Sequence, residues 1–420
     1  MFRKYDVAMN LLVLSTWFPY PPDNGSRLRA FHLIRELAGR HRIRLVAGLQ
    51  EDVAPQVGGE VPKTLRELCE EVVPVPWRWY AAGTAGGGGG GGGLRALLSL
   101  TPRSILETDN PRLRSVIDEQ LGKPTDAVLV LQQGMAPFLP PAVTPPAVLD
   151  EVEVSGLDQA VAASRGRARL RHALTRWKAH RYWRSALRRF LAATAVSEAE
   201  AAAVRRMAGM GTGDPGVAVI PNGVDVRAYR REAGRTVPGR LLYNGALTYG
   251  PNLEAVRWFA ADVLPLVAAQ VPDAHLVVTG RSENLAIDDL RADPRVRLTG
   301  FLPDLRPALD EAALCVVPLR SGGGTRLKIL EAFAAELPVV STSVGAAGLA
   351  ARSGEHLLLA DTPRDLADGV ARLLQEPERA RTLARRARHL VEERYDWSAI
   401  SATLSDLLER CVAMERRNTA

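Results

Sequence analysis

Short apolar runs alternate with helix-period segments along most of this chain, and no other feature restricts its fold as tightly. The first run is Asn10-Leu-Leu-Val-Leu-Ser15, closed by the turn-rich stretch 20–25. Leu28, Phe31, Leu33, Ile34 and Leu37 then recur at helical spacing before a second run at 43–46. A run that is apolar throughout suits a strand buried on both faces of a parallel sheet, and run, helix, run is a βαβ unit. Further strands are expected at 71–75, 127–131, 147–149 and 192–195. A second series starts at 241–243 and continues at 274–279, 296–298, 313–317 and 338–342, with helices at 253–271 and 328–335. The polar stretch 227–238 between the two series reads as a linker. A chain of 420 residues exceeds one ordinary core. The expected fold class is therefore α/β, with two doubly wound, Rossmann-like domains at 1–226 and 239–394 facing across a cleft. In such sheets ligands sit beyond the carboxyl ends of the strands. That singles out the loops 17–27, 244–252, 280–281, 300–304 and 318–325.

The remaining features bound the function more loosely. A formal charge of +7 favours phosphate-bearing partners, although a solvated Arg-rich surface explains most of it equally well. Three scattered cysteines, Cys69, Cys315 and Cys411, make neither a disulfide framework nor a metal-ligand spacing, and suit a reducing cytosol. The chain's opening reads as a first strand, because its apolar core is short and no small-residue cleavage site follows. Eight consecutive glycines at 86–93, within an insertion at 83–93, have nothing to pack and read as a flexible surface segment. Residues 165–190 carry ten Arg or Lys and no acid, interleaved with Leu170, Ala173, Leu174, Trp177, Trp183, Leu187 and Phe190 at roughly helical intervals. Such a helix packs its apolar stripe on its own domain, lies on an anionic membrane, or binds a polyanion, and composition leaves these open. The expected location is cytoplasmic, with at most peripheral contact at the inner face of the cell membrane through 165–190.

The chemistry concentrates in Ser321-Gly-Gly-Gly-Thr-Arg-Leu-Lys-Ile-Leu-Glu331. Gly322, Gly323 and Gly324 let backbone approach a ligand closely, and Thr325 is a good helix N-cap. The free N–H groups of the following turn form an anion site, to which Arg326 and Lys328 add cationic charge. Glu331, one turn in, can accept hydrogen bonds from two ribose hydroxyls. Diphosphate plus ribose is what this set would bind. The ordinary alternative is a crossover loop with a Lys328–Glu331 surface ion pair. No G-x-G-x-x-G or P-loop motif stands in the required context, which argues against nicotinamide dehydrogenases and P-loop enzymes.

With these residues in place, the chain resembles the GT-B retaining glycosyltransferases of family 4 over nearly its whole length. The resemblance rests on Thr194-Ala-Val-Ser-Glu198, Ile220-Pro-Asn-Gly-Val-Asp225, Pro251-Asn252, Val278-Thr-Gly-Arg281, Leu298-Thr-Gly-Phe301, the 322–331 run, Pro338-Val-Val-Ser-Thr342 and Tyr395-Asp-Trp397. It implies an acceptor-side first domain, a nucleotide-sugar-binding second domain, and a final helix, 395–420, that packs back on the first. It implies that Gly25 approaches the diphosphate and that Glu331 holds the ribose. It also implies that Gly300, Phe301 and Leu302 meet the base. Gly245 and Arg281 join the donor set, and Arg326 and Lys328 are the expected catalytic cations. Asn24, Arg27, Asp150 and Glu153 are acceptor-side candidates, although Asp150, Glu151 and Glu153, which follow a strand, equally well cap a loop. The donor is expected to be a UDP- or GDP-linked sugar, with a hydroxyl acceptor that is a saccharide, a lipid-linked molecule or a small molecule. Neither a cofactor, a metal nor nucleic acid is expected.

Two departures from the family pattern matter. The first glutamate of its E-x7-E motif would fall on Gly323, and residues 245–252 lack the cations that many relatives carry there. Gly323 motivates a rival reading, a non-catalytic relative that binds nucleotide sugars. A polyanion-binding protein using 165–190 is a more distant rival.

Overall fold

A computed structural model describes residues 8–51, 53–57, 60–78, 99–143, 145–210, 216–231, 234–322 and 326–419. The Gly-rich insertion 83–93 and Gly323, Gly324 and Thr325 lie outside the described residues. The chain divides into two compact units, one of residues 1–221 with 401–420 and one of residues 222–400.

The first unit is built on a seven-stranded parallel sheet. Its strands are β1 (Asn10–Ser15), β2 (Arg42–Leu49), β3 (Glu71–Pro76), β4 (Ala127–Leu131), β5 (Ala147–Asp150), β6 (Ala192–Ala195) and β7 (Val217–Val219). Their order in the sheet is β3-β2-β1-β4-β5-β6-β7, all parallel. Leu11–Leu14 and Ala127–Leu131 are fully buried, as strands covered on both faces must be. The helix Gly25–Ala38 follows β1, with Asn24 as N-cap accepting from the Arg27 amide at 3.1 Å. The helix Gly166–Ala186 turns Ala179, Trp183 and Ala186 into the core of this unit, beside Leu187 and Phe190. The end of the chain also belongs here. In the helix Trp397–Thr419, Ser405 bonds His41 at 2.8 Å, and Leu404 and Leu408 are fully buried.

The second unit repeats the plan with six parallel strands. These are β8 (Arg240–Asn244), β9 (His275–Thr279), β10 (Val296–Gly300), β11 (Leu314–Val317), β12 (Val339–Ser341) and β13 (Leu358–Leu359), in the order β10-β9-β8-β11-β12-β13. Two apolar clusters fill the faces of this sheet, one around Leu330 and Phe333, the other around Phe259 and Val278.

Both sheets reverse their winding once, between β1 and β4 in the first and between β8 and β11 in the second. At such a reversal the loops leave in opposite directions and open a crevice past the strand ends. The loops 16–24 and 245–249 therefore sit at the two switch points, and residues 318–322, which follow β11, adjoin the second.

Three details depart from the sequence expectation. The single helix expected at 253–271 is Gly250–Trp258, a π-turn Phe259–Val263 and Leu264–Gln270. Pro265 lacks an amide to donate at that point, and the wider turn absorbs the break. The final helix, expected at 395–420, begins at Trp397, after the separate helices Pro363–Gln375 and Pro377–Arg394. The two-residue β13 was not foreseen. It carries too little pattern to read.

Candidate functional site

The second switch point gathers the residues of two polar networks. Lys328, on the helix Leu327–Ala334, donates to the Tyr243 hydroxyl at 2.8 Å and to Asn252 Oδ1 at 2.9 Å. Tyr243 in turn donates to Asn252 Oδ1 at 2.7 Å, and Asn252 Nδ2 donates to the Ala246 carbonyl at 2.8 Å. The Lys328 ammonium also stands 4.2 Å from the Tyr243 ring centroid. Burial draws its pKa down to about 7, and the nearby Arg326 charge adds to the lowering. The second network surrounds Glu331. Asn244 Nδ2 donates to its Oε2 at 2.6 Å and the Tyr229 hydroxyl to its Oε1 at 3.2 Å. Burial raises the Glu331 pKa, opposed by those two hydrogen bonds and by Lys328. Asn244 Oδ1 is buried and has no hydrogen-bond partner among the described residues. Lys328 and Glu331 thus each face inward to their own partners, unlike a solvated surface ion pair.

Glycines set how close backbone comes. Gly245 has φ +151°, and a Cβ there would lie 2.8 Å from Lys328 Nζ and 2.9 Å from Asn252 Nδ2. Gly322, at φ +102°, runs against Tyr249 and Pro251, where a Cβ would meet the Tyr249 hydroxyl at 3.1 Å. Arg326 is buried, and its guanidinium donates to the Gly322 carbonyl at 2.8 Å and to Val344 at 3.0 Å. It pins the loop before the helix to the loop after β12. The helix begins at Leu327 with Arg326 in the cap position and no side-chain cap bond, and Thr325, the expected N-cap, lies outside the described residues. The first-turn N–H groups of the helix still lack intrahelical partners, as at any helix start.

The ends of β9 and β10 close the other side. The Gly245 amide donates to Thr279 at 2.9 Å, Leu247 to the Arg281 carbonyl at 2.8 Å, and Gly280 to the Gly300 carbonyl at 2.8 Å. The exposed Arg281 guanidinium lies 5.2 Å from the exposed Phe301 ring, with Leu302 beside it half-buried. Gly300, at φ +73°, has open space where a Cβ would stand. The structure therefore brings Gly245, Arg281, Gly300, Phe301, Leu302, Gly322, Arg326, Lys328 and Glu331 to one end of one sheet.

In the first unit, Asn24 and Gly25 open the helix after β1. Arg27 is buried, donates to Asp23 at 2.9 Å and stacks near Trp17. Asp150 is fully buried. Both its oxygens accept from Arg29, at 2.7 and 2.8 Å, and one also from Thr194 at 2.6 Å. Arg29 further donates to the carbonyls of Ile220 and Pro221. Asp150 thus joins β5, β6 and the first helix and has no oxygen to offer a ligand. That corrects its placing among acceptor-side groups. The carboxylates past β5 that stand clear of this pairing are Glu151 and Glu153, Glu153 facing solvent.

Sequence reasoning passed over Gln132 and Tyr229, and weighed Glu151 only by its place after a strand. Gln132 (φ +62°) follows β4 and Glu151 (φ +58°) follows β5, two strands that neighbour each other in the sheet, and both residues are in the left-handed region that side chains avoid. Gln132 Oε1 and Glu151 Oε2 are buried without a hydrogen-bond partner among the described residues. Burial pushes the Glu151 carboxyl up to about 7. Left-handed backbone and orphaned acceptors concentrate at functional sites. Backbone conformation leaves no trace in residue type here. Tyr229 was hidden inside a stretch read as linker, whereas Asn244, last in its strand and next to a glycine, carried a legible position. Among the described residues no group of three or more His, Cys, Asp or Glu is placed to hold a metal ion.

Comparison with known proteins fits this geometry. Residues 238–376, all within the second unit, match the family model "Glycosyl transferases group 1". An uncharacterized 44.6 kDa protein in the cps region of Klebsiella pneumoniae is 24% identical over 172 residues, 39% of this chain and 44% of that protein. Glycogen synthase of Mycobacterium tuberculosis is 29% identical over 209 residues, 47% of this chain and 49% of that protein. The chain thus matches about half the length of these curated relatives. Among solved structures, sucrose-phosphate synthase from Thermosynechococcus elongatus superposes with a TM-score of 0.67 at 18% identity, covering 97% of this chain and 100% of that one. Anabaena Alr3699/HepE in complex with UDP gives 0.63 at 16%, covering 96% and 100%. The same protein in complex with UDP-glucose gives 0.61 at 16%, again covering 96% and 100%. The fold is that of the GT-B proteins, with two Rossmann-like units.

Proposed function

We propose, from a second unit that matches the group 1 glycosyl transferase model, that the protein is a glycosyltransferase using a nucleotide-sugar donor. The observation that carries this reading is the pair of networks at the β8/β11 switch point. There Glu331, held by Asn244 and Tyr229, and Lys328, held by Tyr243 and Asn252, flank one helix start. Glu331 and the orphaned Asn244 Oδ1 are acceptors suited to ribose hydroxyls. Lys328 and the helix N–H groups are suited to the diphosphate, with Gly245 and Gly322 giving it room. Arg281 over Phe301 offers a cation and an aromatic face where a base would end.

Transfer breaks the bond between the sugar's anomeric carbon and the diphosphate oxygen, whose electron pair stays with the leaving group. Charge that builds on that oxygen is stabilised by Lys328 and by preorganised N–H groups. Arg326 holds the loop in place and adds positive potential from behind it. The acceptor hydroxyl oxygen forms the new bond to the anomeric carbon and gives its proton to the departing diphosphate. Attack on the same face retains configuration and needs no protein nucleophile. We assign the protein to the family 4 subgroup with Gly-Thr-Arg-Leu-Lys before the motif glutamate. The first unit takes the hydroxyl acceptor past β4 and β5. Surface polysaccharide, glycolipid or natural-product glycoside synthesis is the expected setting, and the cytoplasmic side the expected location. The UDP and UDP-glucose complexes of Alr3699/HepE support a uridine donor.

A thermal-shift screen against UDP- and GDP-sugars tests donor binding, because a ligand of the folded state raises the midpoint. Lys328→Ala and Glu331→Ala should each lower turnover at least ~10-fold, about 1.4 kcal/mol. Unchanged kinetics in both would remove the site assignment. Gly323 keeps a second reading in view, and nucleotide-sugar binding without transfer to any acceptor would select it.

A further inference from the structure

The helix Gly166–Ala186 has two faces, and only one is used by the fold. Lys178, Ala179, Trp183 and Ala186 turn inward. On the opposite side Leu170, Leu174 and Trp177 are 73%, 46% and 51% exposed, spaced i, i+4, i+7 along one stripe. The same stripe continues through exposed Arg167 at one end and Arg181, Arg184 and Arg188 at the other. Three large apolar side chains thus stand in water, bracketed by arginines, in a stretch that holds ten cations and no anion.

We propose that this outer face docks on the surface of an anionic lipid bilayer, with Leu170, Leu174 and Trp177 entering the interface and the arginines on the headgroups. An interfacial helix needs this division: an apolar stripe, a cationic flank and too little length of apolar chain to span. Among the described residues no helix is long and apolar enough to cross a membrane. Trp177 suits the level where acyl chains meet headgroups, since its ring is apolar and its N–H polar. The charge decides between occupants. A second copy would bring a like-charged face against this one, which opposes association. A polyanion would use the arginines but leave the three apolar side chains in water. The proposal stands on the first unit alone and does not rest on glycosyl transfer. If both hold, a lipid-borne acceptor is presented to the unit that takes the acceptor.

The test is flotation of the full chain with phosphatidylcholine vesicles, with and without phosphatidylglycerol, at low and high salt. The protein should bind the anionic vesicles at least ~10-fold more tightly than neutral ones, with binding weakened by salt. Replacing Leu170, Leu174 and Trp177 together with serine should weaken vesicle binding at least ~10-fold while leaving the melting midpoint and heparin binding unchanged, since all three are exposed. Leu174→Cys, labelled with a polarity-sensitive dye, should shift to the blue on anionic vesicles, the three native cysteines being buried. No binding at low salt, or vesicle binding by the triple variant equal to the parent's, would overturn the proposal. Heparin or RNA binding without vesicle binding would make the face a polyanion site instead. Self-association abolished by the triple variant would make it a contact between copies.

Discussion

Lys328 carries its charge at a cost, and that cost is what makes it useful. Buried against Tyr243 and Asn252, it titrates at about 7, so much of the population is neutral at physiological pH. A diphosphate next to the ammonium would restore the ordinary, higher value. Binding UDP at pH 8, above the phosphate's own last titration near about 6, should therefore take up close to one proton. Affinity should fall as pH rises from 7, by up to about tenfold per unit. Calorimetry in buffers of different ionisation enthalpy measures the uptake directly, and none at pH 8 would separate Lys328 from the phosphate. Glu151 works with the opposite sign. Its carboxyl is raised from an ordinary 4.5 to about 7 by burial, so the folded state holds a proton that the unfolded state releases between those values. Stability assignable to Glu151 is full below pH 4.5 and lost as pH rises through 7. Glu151→Gln should then stabilise the protein by on the order of 1–3 kcal/mol at pH 8 and change little at pH 4, read by urea unfolding at both values. If Glu151 also holds the acceptor, transfer falls in the variant while donor binding does not.

At the scale of elements, two motifs far apart in sequence turn out to be one joint. The Val224 amide donates to the Tyr395 carbonyl at 2.8 Å, and Val224 bridges Asp396. Gly223 sits where a Cβ would come within 2.7 Å of Ile400, 2.8 Å of the Tyr395 carbonyl and 2.9 Å of Trp397, which is itself buried. Gly223→Ala must push backbone or a packed indole aside. It should cost about 1–3 kcal/mol of stability, with donor affinity at saturating folded protein unchanged. Thermal melting with and without UDP checks both halves of that statement. The strands were legible because apolar runs such as 10–15 and 127–131 need a sheet covered on both faces, and their ends agree with the structure to within a few residues. The helix at 328–335 was equally plain from its periodicity and its flanking glycines. The partners of the site residues were less so. Tyr229, Asn244 and Tyr243 act through distances of 87 to 102 positions along the chain to Glu331, and 85 to Lys328, which no local pattern encodes. Asp150 read as a site carboxylate because composition cannot show that Arg29 occupies it.

For the whole molecule, the last helix decides whether the first unit is complete. Trp397–Thr419 leaves the second unit at residue 400 and supplies residues 401–420 to the first. Leu404, Leu407, Leu408, Cys411 and Val412 are all buried there, and Ser405 bonds His41. Burying a Leu or Val side chain contributes about 1.5–3 kcal/mol, so losing these together removes on the order of 8–12 kcal/mol. A domain of this size has about 5–15 kcal/mol in total. A chain ending at residue 400 should therefore keep the second unit and lose the first. Its melting curve should show one smaller transition that UDP still raises, while a dye for exposed apolar surface binds from the outset. Two transitions with both units intact would mean that the first unit does not depend on the returning helix. Loss of the UDP-sensitive transition would instead place the nucleotide outside the second unit, and with it the proposed donor site.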